Sequence, residues 1–332
     1  GVTQVDLVPD YMKDMIHPHW SNYPPVNPMW HHLLGLVYII IGSCATFGNG
    51  LVIYLFLSNK TLRTPSNLLV ANLAISDFLM LATQFPFFVY NCFNGGMWMF
   101  SPFFCELYAF FGAVSGLASL WSLVFISYDR YRVIVHGIAG EPLTFFKCFL
   151  FLLFVWGYAV GISIPPFVGW GRYIPEGILD SCSFDYLTRD WNVRSFGIFL
   201  FVFCYITPLS VICYSYVFIV RAVVSHEKAM REQAKKMNVT NLRSGQGDSS
   251  ESTEMRIAKV AIINVTLWIV CWTPYCAIVV QGLFFNQAGI TPLVSMLPAL
   301  LAKSTACYNP MVYALSHPKF RLAMKSVPCC CH

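Results

Sequence analysis

The chain has 332 residues, of which 57% are hydrophobic, 16% aromatic and only 11% charged, with a mean hydropathy of +0.59 and a net charge of +5. A soluble domain carries about 25% charged residues, so this composition excludes an ordinary water-soluble globule and describes a membrane protein built as one polytopic domain. Residues 1–32 are polar and proline-rich and lack the apolar core of a cleavable signal peptide.

Seven apolar stretches follow in chain order, at 33–58, 67–91, 103–135, 144–168, 194–222, 257–281 and 291–315. Each is long enough to cross a bilayer as a helix, which takes about 20 residues. The expected fold is an all-α membrane protein: an extracellular segment at 1–32, then a seven-transmembrane helix bundle over 33–315. Prolines at 86, 165, 166, 208, 274, 298 and 310 fall inside or at the ends of several spans, where neighbouring groups can satisfy the freed carbonyls. The connections are short except for 223–256, a polar loop with a Gly/Ser-rich middle that reads as flexible. No internal repeat suggests an inverted-repeat transporter. After the last span, residues 316–332 contain the basic amphipathic stretch HPKFRLAMKSVP, expected as a short eighth helix on the inner face. Cys329, Cys330 and Cys331 follow it as candidate palmitoylation sites.

Sidedness follows from the basic residues. Of the 21 Lys and Arg, 4 fall on the side shared by the N-terminus and 16 on the other, with Lys303 within a span. The N-terminus is therefore outside and the C-terminus inside. Cys105, at the outer end of span 3, and Cys182, in the outer loop 169–193, then share an oxidising compartment and are expected to form a disulfide.

Lys303 carries the most chemistry. It lies within an apolar segment, roughly 15–18 Å from either end at about 1.5 Å per residue, too deep to reach an interface easily. A structural lysine paired with a buried acid is one reading. A desolvated amine that forms a Schiff base with an aldehyde is the sharper one. On span 6, Trp272 and Tyr275 are three residues apart and share a face, and Trp272 precedes the bending point at Pro274. Asp77, Asn49 and Asn309 are polar groups in three spans at similar depth, expected to share one network with water or sodium. At the inner face Arg130, next to Asp129, can reach Glu254 across spans 3 and 6 as a latch on helix movement, with Tyr214 and Tyr313 as partners once it opens. The basic stretch from Lys228 to Lys236 suits either a cytosolic protein or anionic lipid.

GN at 48–49, NLAISD at 72–77, Cys105, DRY at 129–131, Trp156, Pro208, CWTP at 271–274 and NPMVY at 309–313 occur in order, distributed over the spans. Together they resemble the rhodopsin-like G-protein-coupled receptors over nearly the whole chain. Within that family, Lys303, seven residues before Pro310, looks like the retinal-attachment lysine of opsins. YDRY, HPKFR and the basic extension of span 6 look like an arthropod visual opsin of long-wavelength or jumping-spider type. The resemblance implies retinal, 11-cis in the dark and all-trans after light, on Lys303 as a protonated Schiff base, with Trp272 and Tyr275 walling its pocket. It implies a Gq-class heterotrimeric G protein and arrestin as partners, contact with membrane lipids and none with nucleic acid. It also implies residence in the plasma membrane of a photoreceptor and a receptor's function rather than an enzyme's. The alternative is a retinal photoisomerase on the same scaffold, which would have less need of DRY, Glu254 and NPMVY together.

The counterion departs from the vertebrate visual pattern, which places a glutamate three residues after the span-3 cysteine. That position is Tyr108 here, and Glu106 lies about 200° away around the helix. Glu176, six residues before Cys182, matches the loop glutamate that serves invertebrate opsins. It is expected to act at longer range through waters, Ser181 and Tyr108. A remote carboxylate need not be neutralised on isomerisation, which implies a bistable pigment.

Overall fold

The computed structural model describes residues 1–137, 140–237 and 250–327; the side chains of Glu254 and Tyr313, and Cys329, Cys330 and Cys331 altogether, lie outside what it describes. Four of its long helices run from Pro28 to Ser58 (α1), Pro65 to Phe93 (α2), Pro102 to His136 (α3) and Phe145 to Ser163 (α4). The starts of the first three share one device. Asn27, Thr64 or Ser101 caps the helix by accepting a backbone N–H, and the proline that follows occupies a position where no N–H is needed.

The fifth span is α5 (Trp191–Leu200), a widened π-helical turn at Phe201–Ile206 and α6 (Thr207–Lys236). The turn ends just before Pro208, whose ring cannot continue the regular hydrogen-bond ladder. The sixth is α7 (Ser250–Phe284), with Pro274 inside it. Among the described residues, six helical segments are thus long and apolar enough to cross a membrane.

Three expectations change. The stretch 291–315 is two short helices, α8 (Pro292–Lys303) and α9 (Thr305–Ser316), separated at Ser304. There the Ser304 N–H reaches Leu300 and Leu301 carbonyls and its hydroxyl takes the Leu301 carbonyl at 2.6 Å, local bonds that compete with the helical ladder. The stretch 144–168 is helical only to Ser163, then forms a single 3₁₀ turn at Pro165–Val168, because adjacent prolines remove two donors. The loop 223–256 is helical at both ends, since α6 runs to Lys236 and α7 begins at Ser250. A short α10 (Pro318–Lys325) follows, burying Phe320 and Ala323 while Arg321, Leu322 and Lys325 are exposed.

We call outer the end of the bundle that carries the Cys105–Cys182 disulfide. Between α4 and α5 an antiparallel hairpin of β1 (Tyr173–Glu176) and β2 (Ser181–Phe184) lies across this end, with Glu176 paired to Ser181. Gly177 turns the hairpin at φ +64°, and a Cβ there would come within 3.1 Å of the Pro292 carbonyl. The N-terminal segment packs over the hairpin. Gln4 Nε2 donates to the Gly177 carbonyl at 3.2 Å, Tyr11 to the Met99 carbonyl at 2.9 Å, and Met12 and Trp20 are wholly buried. Nothing in the polar composition of residues 1–32 announced this cover, which rests on a few apolar side chains spaced along three short 3₁₀ turns. The reverse pattern marks the bundle's outside, where α4 exposes Phe146, Phe149 and Leu153, as a helix facing lipid does.

Candidate functional site

Lys303 ends α8 inside the bundle and is of intermediate exposure because it faces an internal cavity. Its Nζ donates to the Tyr108 hydroxyl at 3.1 Å and lies 5.0 Å from the centre of that ring and 5.9 Å from the Tyr38 ring. Tyr108 comes from α3 and Tyr38 from α1, so three helices meet at the amine. A cation against two ring faces is favourable where water is scarce.

The cavity beside Lys303, about 120 Å³, is lined by Glu176, Ser183, Tyr275, Trp272 and small residues of α3 including Gly112 and Ala113. A second, about 160 Å³, shares Gly112, Ala113, Phe184, Trp272 and Tyr275 with the first and extends to Leu120, Cys204 and Trp268. The two adjoin through these shared walls, the one beside Lys303 polar and the one beyond apolar. The shape follows from composition: Gly116 keeps α3 thin where a Cβ would come within 3.7 Å of Trp272, and Trp272, stacked on Trp268 at 5.4 Å, makes the wall opposite, while the missing side chain of Gly112 makes room for Gln84. Such a space accepts a long, flat apolar molecule with one reactive end at the amine.

Glu176 is buried at the polar end. It accepts hydrogen bonds from Tyr186 at 2.9 Å and Tyr275 at 3.3 Å. Tyr186 also bonds Ser295 at 2.5 Å, and Tyr275 bonds Ser183 at 2.6 Å. Burial pushes the Glu176 carboxyl up to about 7, against the pull of Lys303 and the two tyrosines. Elsewhere in the hairpin region, Asp185 is buried too, but bonds from Thr188, Arg172 and two backbone N–H groups outweigh burial and hold it below the usual carboxylate range.

Ser181 makes no direct bond to the amine. It is wholly buried with its hydroxyl on the Met296 sulfur at 3.5 Å, and the serine on the cavity wall is Ser183. Side chains alternate along a strand, so Ser181 and Ser183 share a face, and only the position of the hairpin over α7 selects between them. Ser183, Tyr186 and Tyr38 were not singled out from the sequence. Tyr38 and Tyr186 are aromatic residues among many, and no short-range spacing ties them to Lys303.

Deeper in the bundle, Asp77 accepts from Asn309 Nδ2 at 2.6 Å and Ser119 at 2.8 Å. Asn49 does not join them through its side chain. Its Nδ2 donates to the carbonyls of Ala45 and Ala306, at 2.9 and 2.8 Å. Ala306 is four residues before Pro310, so its carbonyl is the one that a proline leaves without a donor. Direct bonds thus join Asp77 to Asn309 and Ser119, while the Asn49 side chain supplies a donor at the Pro310 break. Trp156 bonds Asn72, which bonds Ser122, tying α4 to α2 and α3.

At the inner end Arg130 is buried, bonding Asp129 at 2.6 Å and Ser66 at 3.4 Å. Tyr214 is 58% exposed, with its ring against Tyr131 and Phe218 rather than near Arg130 in any recorded contact. The Glu254 and Tyr313 side chains, proposed as partners of Arg130, lie outside the described residues.

Helix order, hairpin and buried amine together define a seven-helix membrane receptor. The family model of the 7 transmembrane receptor (rhodopsin family) matches residues 48–313. A compound eye opsin of Hemigrapsus sanguineus is 58% identical over 324 residues, covering 98% of this chain and 86% of its own length. A lateral eye opsin of Limulus polyphemus is 49% identical over 320 residues, 96% of this chain and 85% of its own. The crystal structure of squid rhodopsin superposes with a TM-score of 0.86 at 37% identity, over 94% of this chain and 89% of that one. The chain belongs to the rhodopsin family of seven-transmembrane receptors, and within it to the arthropod visual opsins.

Proposed function

We propose that this opsin carries retinal on Lys303, as 11-cis in the dark, and on illumination activates a Gq-class G protein before arrestin binds. The observation that supports it most is the lysine in a small polar cavity that adjoins a second, apolar one through shared walls. A buried amine in an apolar site is a costly feature, and covalent use explains why it is kept. When bound, retinal supplies a protonated Schiff base on Lys303 and a light-driven change to all-trans.

The chain's own residues then divide the work. Tyr108, neutral and within 3.1 Å, orients the nitrogen without supplying charge. Glu176 supplies the compensating charge from the hairpin, connected to the cavity through Tyr275 and Ser183. Because Glu176 is not the nitrogen's direct hydrogen-bond partner, it can keep its charge while the nitrogen keeps its proton, which supports a bistable pigment. Trp272 and Pro274 place the far end of the cavity against the bending point of α7, so a shape change there can swing the inner end of that helix and open a groove beside Arg130. The 16 basic residues on the inner side support an N-terminus-outside orientation and attraction to anionic lipid. Palmitoylation at Cys329, Cys330 and Cys331 would anchor the tail after α10. The eye-opsin names of the relatives favour a sensory receptor in photoreceptor membrane over a photoisomerase.

Lys303→Ala tests the reading. The variant should fold and reach the membrane yet stay colourless after retinal is added, and a visible band that survives the change and acid trapping overturns it. Spin labels at the inner ends of α3 and α7 should separate on illumination. G-protein activation at an unchanged distance rejects the swing.

A further inference from the structure

A second buried carboxylate stands near Lys303 and has no part in the description so far. Asp180, in the turn between β1 and β2, is wholly buried. Its Oδ2 lies 3.2 Å from Nδ1 of His31 on α1 and accepts from the thiol of Cys92 on α2, also at 3.2 Å. Its backbone carbonyl accepts from Asn91 Nδ2 at 3.0 Å. Its other carboxyl oxygen, Oδ1, is buried with no hydrogen-bond partner. His31 is itself 6% exposed and is packed so closely on Gly96 that a Cβ there would come within 2.9 Å of the ring.

The contrast with Asp185 is informative. Asp185 has an arginine, a hydroxyl and two backbone N–H groups for its charge. The recorded ion-pair partner of Asp180 among the described residues is a histidine, which is a cation only when protonated. A buried charge compensated so thinly is expensive as a stability device. Asp180 sits beside the chromophore site: the carbonyl of its neighbour Leu179 accepts from the Trp98 N–H at 2.7 Å, the Trp98 ring packs on Tyr108 at 5.3 Å, and Tyr108 bonds the Lys303 amine. The negative charge of Asp180, like that of Glu176, therefore attracts the amine.

We propose that the His31–Asp180 pair is a second part of the counterion field at Lys303, with Asp180 supplying negative charge and His31 setting how much of it the chromophore feels. This rests on the reading of Lys303 as the retinal-bearing residue. With a neutral imidazole and an ionised Asp180 the pair is an anion. With a proton on both ring nitrogens it is neutral overall. The groups that face this region are His31 and Tyr38 from α1, Cys92 and Gln84 from α2, Tyr108 from α3, Glu176 and Asp180 from the hairpin, and Lys303 from α8. Apart from His31 and Lys303, the titrating members of that set are carboxyls, a thiol and phenols, none of which becomes a cation. His31 is thus the group that can offset Asp180 without touching the amine itself.

Asp180→Asn is the decisive variant, because the amide keeps the size and can still bond His31 while removing the charge. In the retinal-loaded protein the Schiff-base titration should move its midpoint to lower pH, and the acid-side absorption maximum should move to longer wavelength, both by less than in Glu176→Gln. In the apoprotein, reductive methylation of Lys303 by formaldehyde with cyanoborohydride as hydride donor, read by peptide mapping, should be faster at a fixed neutral pH. If Asp180→Asn does not fold, the double change His31→Leu with Asp180→Leu removes the pair as an apolar unit and should give the same shifts. A folded variant with unchanged midpoint, wavelength and methylation rate assigns Asp180 to holding the hairpin and overturns the proposal. Failure of the broader reading is separately visible, as retained colour in Lys303→Ala.

Discussion

Polar groups at the outer end of the bundle are held largely by partners on other elements, whereas among the described residues of the inner end such bonds stand beside bonds to near neighbours in sequence. Outside, Gln4 reaches Gly177, His19 reaches the Ile290 carbonyl at 2.8 Å, Tyr186 reaches Ser295 and Cys105 is joined to Cys182. Inside, Arg130 bonds its neighbour Asp129 and also Ser66 on α2, while Lys147 bonds Glu141 and Arg63 bonds the carbonyl of Leu57. Long-range bonds fix elements against one another, while short-range bonds travel with their own helix when it moves. The division matches a receptor that keeps its ligand end rigid and its partner end free to rearrange.

Breaking the outer end should cost the most. Replacing Cys105 or Cys182 by serine releases a link across 77 residues of sequence, and removing such a disulfide costs about 2–5 kcal/mol. Thermal unfolding of the apoprotein should fall accordingly, and a fall no greater than that of a lipid-facing control would show that the N-terminal cover holds the hairpin without it.

Glu176 sharpens the same comparison through pH. Its carboxyl has an ordinary value of 4.5 and is raised to about 7 by burial, so the folded state holds the proton more tightly than the unfolded one. Its contribution to stability is complete below about 4.5 and is lost as pH rises through about 7. Glu176→Gln lacks that loss, so the apoprotein variant should gain on wild type between those limits, by about 3 kcal/mol at 1.36 kcal/mol per unit. Denaturant midpoints of both proteins across that range decide it, and parallel curves would show an ionised, well-compensated Glu176 throughout.

Asn49→Ala should cost about 1–3 kcal/mol, because the Ala306 carbonyl loses the donor that stands in for the Pro310 N–H. The loss should disappear if Pro310 is also replaced by alanine, which restores the helical donor, and a persistent loss would assign Asn49 to another role. Lys147→Ala removes the exposed inner pair with Glu141, and exposed pairs contribute little. Its unfolding curve should overlay the wild type, and a measurable drop would contradict the loose character assigned to the inner end.

Much of the molecule was legible in order. Seven apolar runs and two cysteines at one end carry local and compositional information, which a linear reading captures. Lys303 was legible because an amine in an apolar run conflicts with its surroundings whatever the fold. Glu176, Trp272 and Tyr275 were found, and all three line the cavity with Lys303.

What the linear chain left open depended on how separate elements lie over one another. Ser181 and Ser183 are equivalent in the strand pattern, and the placement of the hairpin against α7 brings Ser183 to Tyr275. Asn49 bonds a carbonyl freed by a proline 261 residues later, a pairing set by helix packing and not by either local sequence. The break at Ser304 and the helical ends of the 223–256 loop depend on bonds and neighbours that periodicity does not encode. Composition and spacing therefore determined a polytopic membrane protein and singled out Lys303, and the ordered motifs carried the resemblance to its family. The identities of the groups around that residue were decided by tertiary contact, because a buried polar atom takes whichever partner the packed helices bring within reach.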